Sequence, residues 1–380
     1  MITKASLYVH VPFCSSLCDY CDFYSVVVKP PEDSYFDTYL SALISDIKKQ
    51  IDFFNVKEIP TVYIGGGTPS VLGKKIKILF DTLKEFPCFK PVEFTVEANP
   101  ESLTEGFLET CLEGGVNRLS LGVQTFHEPS RLAVNRKGGK ELLEERLVMA
   151  SRYFSGGELT LSADLITGLP YSSEETVIDD INRILEFAPD HVSLYSLSVE
   201  NGTRLKENVK TNVVELPSID CADNFWLLGK DLLLKTGFEH YEISNFAKPG
   251  KDCLHNMRYW QMENWLGAGP AASGTIVCEK TASAKRYTTV SDVEKYVSTN
   301  NGQLVIDEEP DKIMFLKECI LMGYRCKAGP DPVLFKRRFG CAVEECIPKT
   351  LAKWEGKDKM LFLNSFLTEA FDEIQSESSS

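Results

Sequence analysis

Three cysteines, Cys14, Cys18 and Cys21, share one short loop at x3 and x2 spacing. Sulfurs so placed can face a common centre, and thiolates this close together select zinc or an iron–sulfur cluster. A closed zinc site takes four protein ligands, usually as two pairs. The sequence offers no second pair nearby, although His10 can supply a fourth donor. A cubane of four irons held by three cysteines leaves one iron open, which suits an enzyme whose small-molecule partner must coordinate. Inert thiols packed in a core are the remaining reading. An alternating apolar run at 7–11 leads into the loop and reads as the β-strand that positions it.

The run Tyr8-Val9-His10-Val11-Pro12-Phe13-Cys14, followed by Cys18, Tyr20 and Cys21, resembles the radical S-adenosylmethionine (SAM) signature. More narrowly, it resembles the oxygen-independent coproporphyrinogen III oxidase group. The resemblance implies a [4Fe–4S] cluster on Cys14, Cys18 and Cys21, with the open iron taking the amino and carboxylate groups of SAM. One-electron reduction then cleaves the sulfonium to a 5′-deoxyadenosyl radical. Such cofactors carry the chemistry, and the protein positions them and excludes side reactions.

At 380 residues the chain is too long for one ordinary core, and a large barrel with a small added domain fits. Its 43% hydrophobic and 25% charged residues are those of a soluble globular protein. Neither a secretory signal nor an apolar run of membrane-spanning length is present in the sequence. Twelve cysteines in such a chain argue for a reducing compartment, here the cytoplasm, and for metal binding over disulfides. A net charge of −14 disfavours a large nucleic-acid footprint.

Strand-like runs at 7–11, 61–64, 93–97, 118–123, 160–166 and 191–199 alternate with stretches of helical period such as 35–53, 73–86 and 140–153. Six such repeats indicate an α/β protein with a parallel sheet, either an open doubly wound sheet or a partial barrel, and the resemblance implies a radical-SAM partial (β/α)6 barrel. Ligands then sit at the C-terminal ends of the strands. After the second strand comes Gly65-Gly66-Gly67-Thr68-Pro69, either a tight turn or a backbone that lets a ligand approach. The third strand ends in Glu97-Ala98-Asn99 and the fourth in Gln124, with Arg136 twelve residues on. The fifth carries Asp164 inside an apolar run, and a buried carboxylate needs a partner. The resemblance assigns Tyr8, Tyr20, Gly66, Gly67, Thr68 and Glu97 to SAM. It adds Gln124, Arg136 and Asp164 at positions where some relatives bind a second SAM.

The sixth strand is expected to close the barrel, followed by a polar segment at 201–218 and an amphipathic helix at 223–235. Further on lie Tyr241-Glu242-Ile243-Ser244-Asn245-Phe246, the His255-Asn256…Tyr259-Trp260 motif and Gly267-Ala268-Gly269. These residue types suit a pocket for a flat macrocycle, or an aromatic lid on the barrel. Together the YEISNF, HNxxYW and GxGxxA motifs resemble the haem-chaperone (HemW-type) branch of the group. That branch implies haem as cargo, and by residue type the 250–275 region offers it Tyr259, Trp260 and Trp265 as faces, Arg258 and Asn256 as rim, and His255 or Cys253 as candidate ligand. His10 competes for that role. Implied partners are haem or porphyrin, client haemoproteins, some of them reached by peripheral contact with a membrane, and an electron donor.

From about residue 300, Asp307-Glu308-Glu309-Pro310-Asp311 breaks the chain, and helical segments at 314–326, 332–339, 343–355 and 362–374 make a small, mostly helical C-terminal domain. The domain expectation is therefore 1–200 for the barrel, 201–300 for a barrel-capping segment and 301–380 for the helical unit. Two functions follow from the resemblance: a haem chaperone, or the radical oxidative decarboxylation of coproporphyrinogen III to protoporphyrinogen IX. The oxidase branch has a further cysteine two residues past the third cluster cysteine, where this chain has Phe23, and a longer N-terminal extension. Both departures favour the chaperone.

Overall fold

All six expected strands form, and they pair in parallel in sequence order: β1 (Ser6–Val11), β2 (Ile59–Gly66), β3 (Phe89–Ala98), β4 (Arg118–Gln124), β5 (Thr160–Thr167) and β6 (His191–Ser196). The computed structural model describes residues 4–28, 33–154, 156–299 and 304–378. Helices Asp33–Phe54, Ile76–Glu85, Glu105–Gly114, Lys140–Tyr153 and Glu174–Glu186 make the crossovers, and Ile219–Lys235 follows β6. This is the (β/α)6 arrangement.

Side chains alternate across a strand, so each strand presents two chemistries. One set, including Leu7, Val9, Val62, Ile64, Phe94, Val96, Leu119 and Leu121, is fully buried in the large core beneath the helices. The other set is polar: Thr61, Thr95, Ser120, Ser162 and Ser193. An apolar outer face holds the helices on, and a polar inner face lines the barrel.

β6 does not close the barrel. Its second edge is taken by β8 (Asn245–Ala247), antiparallel, which pairs in turn with β7 (Glu239–Glu242). On the other side β1 pairs in parallel with β9 (Trp265–Ala268), so the sheet continues through β10 (Ser273–Cys278), β11 (Ser283–Thr288) and β12 (Val305–Glu308). The result is one open sheet of twelve strands. Residues 201–300 thus extend the sheet at both sides.

The helix Leu254–Trp260 fills the end of the barrel where strands begin. Glu93 accepts from the backbone N–H of His255 (2.8 Å) and Leu254 (2.9 Å), serving its first turn. Arg118, at the start of β4, donates to the Lys251 carbonyl (3.0 Å). Beyond β12, Asp311 caps the helix Lys312–Gly323 by accepting from Met314 N. The expected helix at 343–355 is two, Val343–Cys346 and Pro348–Lys353, because Pro348 drives Ile347 out of the helical region. These helices enclose a second core around Phe315, Phe335, Phe366 and Trp354 that also takes Val277 and Ala284 from β10 and β11. The expected break at 307–311 is the end of β12 and the cap of the next helix, while residues 300–303 and the last two residues of the tail lie outside the described residues. Among the described residues, no helix is long and apolar enough to cross a membrane.

Candidate functional site

The cysteine loop leaves β1 and is pinned at many points. Phe13–Cys14 pairs with Val26–Val27, and the Phe13 ring packs edge-on against Tyr39 at 4.7 Å. Asp19 N donates to the Val134 carbonyl (2.9 Å), Asn135 Nδ2 to the Leu17 carbonyl (2.8 Å), and Leu205 N to the Asp19 carbonyl (2.8 Å). His10 Nε2 lies 2.8 Å from the Tyr24 carbonyl, and the Tyr8 hydroxyl 2.9 Å from His10 Nδ1. A carbonyl accepts and does not donate, so Nε2 carries the proton and Nδ1 accepts from Tyr8. Burial lowers the His10 pKa, in keeping with a neutral ring. Both nitrogens are engaged, which leaves His10 a brace for the loop and no donor for iron.

Cys14, Cys18 and Cys21 line one cavity of about 390 Å³ at the C-terminal ends of the strands. Gly66, Gly67, Thr68, Glu97, Gln124, Arg136, Asp164 and Tyr20 line it too. Tyr8 stands behind this group, reaching it through His10. Gln124 adopts a positive φ of 70° where the β4–β5 register shifts, at the rim of the mouth. Gly66 has φ +108°, and a Cβ there would come within 2.6 Å of the His10 ring. A Cβ on Gly67 would lie 2.8 Å from the Phe13 carbonyl oxygen. The glycines therefore seat the cysteine loop as well as line the cavity. Gly66→Ala should cost about 1–2 kcal/mol in backbone strain alone and push His10 off the Tyr24 carbonyl. Thermal unfolding checks this: an unchanged midpoint would mean that the loop yields without loss.

Glu97 accepts from the Tyr63 hydroxyl (2.7 Å) and from Gly66 N (3.2 Å). Burial raises its pKa to about 7; the Tyr63 hydrogen bond opposes this shift and the nearby Asp164 charge adds to it. Asp164 takes the Ser120 hydroxyl on both oxygens (3.2 and 3.1 Å), and burial raises its pKa against the pull of Ser193 and Ser120. Two acidic groups thus meet in the mouth, suited to a ligand that brings positive charge and hydroxyl donors.

Asn99 joins the loop cysteines through side chains. Its Nδ2 donates to Thr68 Oγ1 (2.8 Å), and Thr68 Oγ1 lies 3.5 Å from Cys14 Sγ. Its Oδ1 accepts from Arg136 Nη2 (2.8 Å), and Arg136 Nη1 donates to Cys18 Sγ (3.6 Å). Burial works against the Arg136 charge, but Tyr20, Glu101 and Cys18 outweigh it and hold the pKa above the usual range. The sequence pointed to Arg136 and Thr68, but not to Asn99, which links them. Ser120, Tyr195, Ser196 and Glu200 also line the cavity and were likewise missed. Phe23 stands at its rim with 67% of its surface exposed.

The donor set fits a [4Fe–4S] cluster: three thiols share one cavity, with a buried guanidinium beside one of them to offset thiolate charge. Among the described residues, no three His, Cys, Asp or Glu side chains group tightly enough for a single ion. A cluster spreads its ligands over several irons and makes no such demand. When bound, the cluster and SAM supply one-electron chemistry at the sulfonium. The chain holds the loop, presents Glu97 and Asp164, and shields the mouth.

His255 is not part of this group. It is fully buried at the opposite end of the barrel, its Nδ1 2.9 Å from Thr61 Oγ1 and its Nε2 2.8 Å from the Tyr259 hydroxyl. Burial lowers its pKa to about 3. With both nitrogens bonded it packs the barrel floor, and the expectation of a nitrogen open to haem does not match these surroundings. Cys253 is buried beside it, 3.6 Å from Glu93 Oε1.

The radical SAM superfamily model matches residues 8–184. "Heme chaperone HemW" of Lactococcus lactis is 34% identical over 344 residues, covering 90% of this chain and 86% of that protein. The Escherichia coli protein of the same name is 33% identical over 273 residues, covering 71% and 70%. A mouse protein, "Radical S-adenosyl methionine domain-containing protein 1, mitochondrial", is 31% identical, covering 86% and 74%. Among solved structures, coproporphyrinogen III oxidase (HemN) from Escherichia coli superposes with a TM-score of 0.79 at 21% identity, over 97% of this chain and 90% of that one. That likeness is one of fold. Superfamily membership implies the [4Fe–4S] cluster and SAM that the mouth residues suit. On the identity and coverage of these relatives, the chain belongs to the HemW haem-chaperone family of radical SAM proteins.

Proposed function

We propose that the protein binds haem as cargo and delivers it to client haemoproteins, with a SAM-coordinating [4Fe–4S] cluster in the barrel mouth. Cys14, Cys18 and Cys21 hold the cluster. Tyr20, Gly66, Gly67, Thr68, Glu97, Gln124, Arg136 and Asp164 surround SAM, and Tyr8 steadies His10 beneath them. A one-electron donor serves the cluster, and the clients are haem-free forms of haemoproteins. The observation that carries the reading is the run of relatives named as haem chaperones at 30–34% identity over most of the chain. Phe23, exposed at the rim where the oxidase branch has a cysteine, supports it.

Haem titration of anaerobically reconstituted protein, run beside a coproporphyrinogen III decarboxylation assay, tests the reading. We expect saturable haem binding and no protoporphyrinogen IX. Turnover at an enzyme-like rate would replace the chaperone with the oxidase.

A further inference from the structure

The mouth of about 390 Å³ is committed to cluster and SAM, so a cargo needs another place. A second cleft, of about 810 Å³, lies between the barrel flank and the C-terminal helices. Its volume is within the roughly 300–1,000 Å³ usual for small-molecule sites. Lys230 from the helix Ile219–Lys235, Lys327, Lys357 and Lys359 stand around it, against the acidic Glu239 and Asp358. That balance is basic in a chain of net charge −14. Phe238, Tyr324, Leu351 and Met360 supply apolar wall, and His240 lines the cleft while its ring stacks on Phe246 at 4.5 Å.

A separate observation ties this cleft to motifs that the mouth does not use. Residues 324–329 form one wall, and HNxxYW and YEISNF hold that wall in place. The Arg325 guanidinium lies 5.3 Å from the Trp260 ring centre, and Cys326 Sγ is 3.8 Å from Met257 Sδ. Gln261 Nε2 donates to the Gly329 carbonyl (3.1 Å), and Lys327 N donates to the Tyr241 carbonyl (3.0 Å). Glu242 bridges Cys326 through the backbone. The HNxxYW helix therefore packs His255 into the barrel floor on one side and shapes the cleft on the other.

We propose that this cleft is the cargo site and takes a planar, apolar macrocycle bearing two carboxylates. Its faces lie against Phe238, Tyr324 and Leu351, and its carboxylates on Lys327, Lys357 and Lys359. The assignment rests on the haem-chaperone reading above. Burial lowers the His240 pKa and its Nε2 is 3.4 Å from the Ile243 carbonyl, so the neutral ring serves as cleft wall and not as a ligand for iron. Burial pushes the Cys326 thiol up to about 12, which keeps that group protonated.

Haemin titration of the cluster-loaded protein separates the possibilities. One variant combines Lys327→Glu, Lys357→Glu and Lys359→Glu; a control combines Lys48→Glu, Lys57→Glu and Lys90→Glu, an equal charge change at exposed positions outside the cleft. Cluster absorbance reports the barrel and near-UV circular dichroism the packed aromatics of the C-terminal helices, so a variant that loses either signal is replaced by its Lys→Gln counterpart. We expect the cleft variant to bind haemin about tenfold or more weakly, from three lost carboxylate partners, and the control to match wild type. Saturable binding of equal strength in all three proteins, or equal weakening in both variants, overturns the cleft and leaves the haem reading standing. Absence of saturable binding in the wild type overturns both.

Discussion

Replacing Cys14, Cys18 and Cys21 together with serine should abolish the broad visible absorption of the anaerobically reconstituted protein while leaving its fold intact. The loss should be complete because a hydroxyl is a poor ligand for iron and the three thiols are the sulfurs lining the mouth. The fold should survive because the loop is anchored elsewhere. The bonds of Asp19 to Val134, Asn135 to Leu17 and His10 to Tyr24 involve no sulfur. Arg136 loses its contact with Cys18 but keeps Asn99 and the Gly122 carbonyl. A triple variant that retained a full cluster would move the site to other cysteines. Cys341 and Cys346, 3.4 Å apart, stand in the C-terminal domain, far along the chain from the mouth.

The barrel was legible in the sequence because its strands carry two clean signals. In β4, Arg118, Ser120, Gly122 and Gln124 alternate with Leu119, Leu121 and Val123, and the apolar set alone is fixed by helix packing. The cysteine loop, the glycine run and the carboxylates at strand ends could be placed from that alternation. The rest depends on contacts that no local spacing encodes. Asn99 acts because Thr68, 31 residues before it, and Arg136, 37 after it, converge on its amide.

β9 escaped notice for a different reason. Four residues containing one glycine, followed by another, read as a turn, and the strand exists because it lies beside β1. Gly269, at φ +100°, ends it so close to the His10 carbonyl that a Cβ would lie 2.3 Å away. The HNxxYW motif left two readings, an aromatic lid on the barrel and, from its polar and aromatic residues, an open pocket. One clue pointed away from the pocket: Thr61 and Glu93 are polar residues inside strands and had to find partners. They find them in His255 and the backbone of its helix.

The open barrel leaves the interior polar and wet-facing at one end and sealed at the other. Its titratable groups then report on what the mouth contains. Glu97 has its pKa raised by burial from the usual 4.5 to about 7. A carboxyl raised on folding contributes stability that is fully present below about pH 4.5 and is lost as pH rises through about 7. Glu242 and Asp180, also raised to about 7 by burial, act in the same direction. His10, His191, His240 and His255, lowered from 6.5 by burial, give the opposite slope below that pH, so the Glu97 share is read only as a difference between variants. Glu97→Gln should flatten the part of the slope that belongs to Glu97, and chemical denaturation at pH 5, 6, 7 and 8 measures it.

SAM reverses the preference at this one group. Its sulfonium charge favours the ionised carboxylate, so SAM should bind more tightly as pH rises through about 7. Glu97→Gln should remove that dependence. Glu97→Ala removes a charge-assisted acceptor worth about 1.5–3 kcal/mol, or roughly a 10- to 150-fold loss of affinity. In the glutamine variant the amide oxygen accepts from Gly66 N and the amide NH2 donates to the Tyr63 hydroxyl oxygen, so both neighbours keep a partner. The two substitutions therefore separate charge from shape. If SAM bound equally to wild type and both variants across this range, Glu97 would be a strand-end residue that braces Gly66, and the ligand would lie elsewhere in the mouth.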